Sequence, residues 1–167
     1  PAPLTIIEER SVGPDLGKES IQNGVLSLIV GLFLVVVYMF YNYRILGLIS
    51  NVSLFANLIL ITSTLSILGS TLTLPGIAGI ILTVGMAVDS NVLIYERIKE
   101  ELKIEKSNLI AFDTAYKKVL TTILDSNITT LIAAFVLYYM GSGPVKGFAI
   151  TLAIGIISTF FTTYVFG

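Results

Sequence analysis

The chain has 167 residues, 54% of them hydrophobic and 13% charged, with a net charge of −1. Globular domains carry about 25% charged residues, so this is the composition of a membrane protein, and it offers no electrostatic footprint for nucleic acid. Cys and His are both absent, which excludes disulfides, thiolate nucleophiles, Cys- or His-ligated metal sites and histidine acid–base chemistry.

Pro1 to Glu19 is polar and mixed in charge. Leu4 to Ile7 reads as a short strand and Gly13-Pro14 as a turn, the tail of an extramembrane domain. The start at Pro1-Ala2-Pro3, without Met or a basic leader, and the stop at Gly167 inside an apolar run give the expectation of an internal fragment of a longer protein.

Five apolar spans follow. Crossing the hydrocarbon takes about 20 helical residues, and Ser20 to Tyr43 provides the first such run. It closes on Tyr38, Phe40, Tyr41 and Tyr43 ahead of Arg44, an aromatic belt backed by positive charge. Leu46 to Leu68 is the second span, uncharged, with Asn51, Asn57, Thr62, Ser63 and Thr64 available for bonds between helices. After a short uncharged connection at Ser70 to Leu74, the third span runs from Pro75 to about Tyr95.

Glu96 to Lys118 is polar, with apolar residues at near-helical spacing. It predicts one or two amphipathic helices along the membrane surface, the second capped by Ser107, or more plainly a solvated linker helix. Thr121 to Met140 is the fourth span, Gly141 to Pro144 a turn, and Val145 to the end the fifth. The fold class is thus an all-α membrane bundle of five transmembrane helices with surface helices on one side. Arg44 and the basic residues of 96–118 place those loops in the cytoplasm, the N-terminal segment outside and the C-terminus inside.

One ionisable residue stands deep in a span. On a 3.6-residue repeat, Asp89 shares a face with Ala78, Leu82, Gly85, Val92 or Leu93, and Glu96, while Asn91 lies about 200° away. Gly85, one turn from Asp89, makes that face approachable by another helix. An intramembrane carboxylate is costly, and must be protonated, paired with a cation or facing a hydrated cavity. A carboxylate that alternates between such environments can carry a proton; the plain alternative is a static interhelical hydrogen bond. No cation lies inside any span, so a counter-charge would belong to another segment or chain. Asp125 is the second acidic candidate, either a contributor to the relay or a carboxylate favoured at a helix start by the macrodipole.

Four stretches, PAPLTIIEERSVGPDLGKESI, TLTLPGIAGIILTVGMAVDSNVLIYERIKEEL, TTILDSNITTLIAA and GSGPVKGFAITLAIGI, together resemble the SecD/SecF family of protein-export membrane proteins, on its SecD side. The glycine-rich helix ending in Val-Asp is also similar to the wider RND superfamily of proton-driven transporters. The resemblance implies the second to sixth helices of a six-helix subunit, half of a pseudo-symmetric twelve-helix unit in the bacterial inner membrane. It implies a SecF-like partner, the Sec channel and secreted unfolded polypeptide as associates, besides the lipid bilayer. It implies no enzyme activity and no cofactor, protons being the coupling ion. The proton-carrying aspartate of the family falls on Asp89, and its basic partner lies in the SecF half. Ser90 stands where the family often has Ala. The alternatives are an RND-type exporter of small molecules, whose parent chain would hold both halves; a scaffold for a partner; and an intramembrane aspartyl protease. The last lacks its Gly-x-Gly-Asp pattern, because Ala87-Val88 precedes Asp89.

Overall fold

The computed structural model describes residues 14–69, 73–104 and 107–166. They form five helices: α1 (Pro14–Tyr43), α2 (Ile45–Ile67), α3 (Leu74–Ile104), α4 (Asn108–Met140) and α5 (Pro144–Phe166). All five are long and apolar enough to cross a membrane. The Leu4–Ile7 strand lies outside the described residues. So do most of the Ser70–Leu74 connection, whose last residue opens α3, and the first half of the Gly13-Pro14 turn, since Pro14 opens α1.

The apolar spans are found where composition places them, but the helices run past them. The polar segment 96–118 does not form surface helices of its own. Its first part prolongs α3 to Ile104, and its second part opens α4 at Asn108. Local pairs sustain both extensions: Arg97 with Glu100 at 2.8 Å, Arg97 with Glu101 at 2.9 Å, Lys99 with Glu96 at 2.8 Å and Lys117 with Asp113 at 2.6 Å. Ser107 occupies the N-cap position of α4, yet its side chain makes no capping bond.

α3 is the centre of the bundle and touches each of the other four helices; α1 packs only on α2 and α3. Ile80, Val84, Ala87 and Val88 of α3 meet Leu54 and Ile61 of α2, Met39 of α1 and Ile123 of α4 in one apolar core. α5 crosses α3 closely through small residues. A Cβ on Gly155 would overlap the Thr83 side chain, and one on Gly79 would sit 3.1 Å from Thr151. The asparagines of α2 bond across helices as their chemistry predicts. Asn57 donates to Thr159 Oγ1 at 3.0 Å and Asn51 to the Val36 carbonyl at 3.3 Å. Thr62 and Thr64 instead return their hydroxyls to their own helix. Broad apolar surfaces stay exposed, on α1 above all (Ile29, Phe33, Leu34), as suits a bundle surrounded by lipid tails.

Antiparallel succession gathers Arg44, Arg97, Lys99, Lys103, Lys117 and Lys118 at one end of the bundle and Lys18 and Lys146 at the other. At the basic end Tyr43 Oη donates to Glu96 at 3.0 Å, and its ring lies 4.4 Å below Lys99 Nζ. Glu101, buried beyond the apolar part of α3, takes Arg97 from its own helix and Lys118 Nζ of α4 at 2.7 Å.

Lys118 and, behind it, Arg97 hold the Glu101 carboxyl below the usual glutamate range. A carboxyl with a lower pKa folded than unfolded stabilises the fold above the unfolded value, and that contribution is lost as pH falls through the folded one. Acidification below the usual glutamate range therefore loosens this end of α3 and α4. In Glu101→Gln the same end is looser at neutral pH and less sensitive to acid. Hydrogen exchange of the amides around Glu101 and Lys118 against pH reads this difference, and parallel curves for both proteins would remove Glu101 from the linkage.

Candidate functional site

Asp89 lies midway along α3, within its apolar stretch. Ala78, Leu82, Gly85, Asp89, Leu93 and Glu96 are all exposed, forming one open stripe down the helix, while Asn91 is buried on the far side. The 3.6-residue geometry thus separates the two as predicted: Asn91 donates to Ser50 Oγ of α2 at 2.8 Å. Gly85 is open, with no described residue within 4 Å of a Cβ built there. The glycines of α3 that receive a neighbouring helix of this chain are on its other faces.

Beside the open stripe, Asp89 also borders a groove of about 170 Å³ between α3 and α4. α3 contributes Met86, Asp89, Ser90 and Leu93; α4 contributes Thr122, Ile123, Ser126 and Asn127. Five of these eight side chains are polar, within a stretch otherwise composed for lipid. Ser90 donates its hydroxyl to the Met86 carbonyl at 2.9 Å. Asn127 is buried, and its Nδ2 has no hydrogen-bond partner. Among the described residues, every Lys and Arg that forms an ion pair does so with Glu96, Glu100, Glu101 or Asp113, and none with Asp89.

Asp125 requires a correction. A carboxylate benefits from the helix macrodipole only within the first turn or so. α4 starts at Asn108, so Asp125 is well inside the helix, and a helix-start role is ruled out. The start of a membrane span and the start of a helix do not coincide when polar residues prolong the helix outward. Asp125 is exposed, its backbone carbonyl accepts from Thr129 Oγ1 at 2.8 Å, and it does not line the Asp89 groove. The structure therefore offers no carboxylate dyad in that groove. In its place it brings Asn127, together with Thr122 and Ser126. The signal for them was in the chain: Asp-Ser-Asn occurs at 89–91 and again at 125–127.

These features define a multi-pass α-helical membrane protein with one ionisable side chain, Asp89, within the apolar stretch of its central helix. The family model described as protein export membrane protein SecD/SecF, C-terminal, matches residues 2–166. The protein translocase subunit SecD of Desulfurispirillum indicum is 54% identical over 162 residues, 97% of this chain and 32% of that protein. The protein of the same name from Rickettsia felis is 56% identical over 165 residues, 99% of this chain and 32% of the relative. The crystal structure of SecDF, a translocon-associated membrane protein, from Thermus thermophilus is similar with a TM-score of 0.88 at 45% identity, covering 93% of this chain and 22% of that one. SecDF in its super-membrane-facing form gives 0.84 at 45% identity, over 99% and 23%. The chain belongs to the SecD/SecF family of protein-export membrane proteins. It spans about a third of the length of the curated relatives it matches.

Proposed function

We propose that this chain is the membrane part of an accessory subunit of the Sec export machinery, and that Asp89 couples the proton-motive force to late outward movement of secreted proteins. The observation that carries this reading is Asp89 itself, held on the open stripe of the helix that touches all the others. An unpaired carboxylate in hydrocarbon is too expensive to keep without a use. On the open stripe a second helix bundle can supply the cation that the described residues do not, with Gly85 as the point of close approach. A SecF-like half is the natural occupant, and the Sec channel and an unfolded secreted polypeptide are the other associates. The names of the relatives, which speak of protein translocation, favour this over a small-molecule exporter. Protons serve as the coupling ion, with no enzymatic step. The reading takes the end rich in Lys and Arg as cytoplasmic in a bacterial inner membrane, with the C-terminus on the same side; the excess of basic residues there supports it.

The test is Asp89→Asn in the full-length chain assembled with its partner, read as dependence of export on the proton gradient. Asp125, outside the groove, has a lesser part: Asp125→Asn lowers gradient-driven export by a smaller factor than Asp89→Asn in the same assay. Equal losses would make Asp125 a second carrier.

A further inference from the structure

The two Asp-Ser-Asn triplets have the same disposition. In each, the aspartate is exposed and the asparagine buried. The asparagines differ in what they find there. Asn91 has Ser50; Asn127, 6% exposed, has an enclosed Nδ2 with no partner. An amide shut away from water without a hydrogen bond is an uncommon and costly defect, and it calls for an explanation.

The α3–α4 groove contains what the amide lacks. Asp89 is its one carboxylate, and the donor hydrogen of Ser90 is already committed to Met86. With about 170 Å³ and polar walls, the groove has room for water between the two helices. No other ionisable group lines it. On α3 the next carboxylate is Glu96, two turns on and engaged by Lys99 and Tyr43; on α4 it is Asp125, outside the lining; α1, α2 and α5 contribute none. A carboxamide suits this place better than a lysine or arginine. It has a donor for the ionised acid and an acceptor for the protonated acid, so it serves both forms by turning over. A cation would bind the ionised form alone and resist its protonation.

We propose that Asn127 is the positioning residue for Asp89: its amide holds the acid on the α4 side of the groove, directly or across one water, while no cation is in reach. The consequence for transport rests on the relay reading of Asp89; the contact itself does not.

The experiment uses the full-length chain assembled with its partner in lipid vesicles. Infrared difference spectra first identify the C=O stretch of protonated Asp89 as the band lost in Asp89→Asn. In Asn127→Leu that band moves to higher wavenumber, as expected when an acid loses its hydrogen-bond partner. Gradient-driven export falls about tenfold, the size set by one hydrogen bond to a charged group. Asn127→Ser, which keeps a donor and an acceptor, recovers most of both; Asn127→Ala does not. The Ala and Ser pair carries the same comparison should the Leu variant fail to assemble. A band at the wild-type position in Asn127→Leu, or equal shifts in the Ala and Ser variants, overturns the contact. A shifted band with undiminished export overturns the positioning role. Failure of the relay reading shows up elsewhere, as unchanged gradient dependence in Asp89→Asn, and leaves the band comparison able to decide the contact.

Discussion

With Asp89 as the proposed proton carrier, the expected result for Asp89→Asn is a bundle that inserts, assembles and melts like the native one but has lost the response of export to the proton gradient. The first half of this result follows from the surroundings of Asp89. Its side chain is exposed and takes part in no ion pair among the described residues, and asparagine has nearly its shape. Substitutions at such positions change stability by about 0.5 kcal/mol or less. The second half follows from charge. One proton moved through 100 mV is worth about 2.3 kcal/mol, a bias of about 50-fold on whatever equilibrium it drives. Asparagine cannot take up or release that proton. Export measured in vesicles with and without an imposed gradient separates the two stages, because the gradient-independent part is the internal control. Undiminished gradient dependence in the variant would remove Asp89 from the relay.

Gly155→Leu has the opposite signature, in that the bundle itself fails. α5 passes α3 where Gly155 faces Thr83, so closely that even a methyl group would overlap Thr83. Thr83 cannot swing away. It is fully buried, and its hydroxyl is bonded to the carbonyls of Gly79 and Ile80 at 3.0 and 2.9 Å. Overpacking by a few carbons costs about 1–3 kcal/mol, and between helices the alternative is separation of α5 from α3. The expected result is a sharply lower melting midpoint in detergent, with Gly155→Ala intermediate. Thr83→Ala recovers part of the loss in the Ala background because it removes the nearest atom. A native midpoint for Gly155→Leu would mean that the two helices do not cross there.

The parts of this fold that were legible in the sequence rest on local periodicity. Bilayer thickness prescribes the length of an apolar run, so the five spans could be read off, and a 3.6-residue repeat was enough to part Asp89 from Asn91. Helix ends were less legible. Nothing about crossing a membrane stops a helix at its surface, and Glu96, Arg97, Lys99, Glu100 and Glu101 continue α3 through their own pairings. The misreading of Asp125 came from that one error, since a helix beginning thirteen residues earlier than its span leaves no macrodipole at position 125. Asn127 was hidden for a different reason. Its importance lies in where α4 crosses α3, a tertiary fact, and only the repeated Asp-Ser-Asn triplet hinted at it.

α3 has 31 residues from Leu74 to Ile104, and Asp89 is the sixteenth of them. The acid therefore sits at the balance point of a stiff rod, about 22 Å from either tip at 1.5 Å per residue. A rod nudged at its middle translates, whereas one held at its middle seesaws. A tilt of about 5° around that pivot carries both tips about 2 Å in opposite directions. One tip is clasped to α4 by Glu101 and Lys118, and Gly76 near the other lies against Thr151 of α5. A change in what Asp89 is bound to would thus be felt at both faces of the membrane at once, with opposite sign.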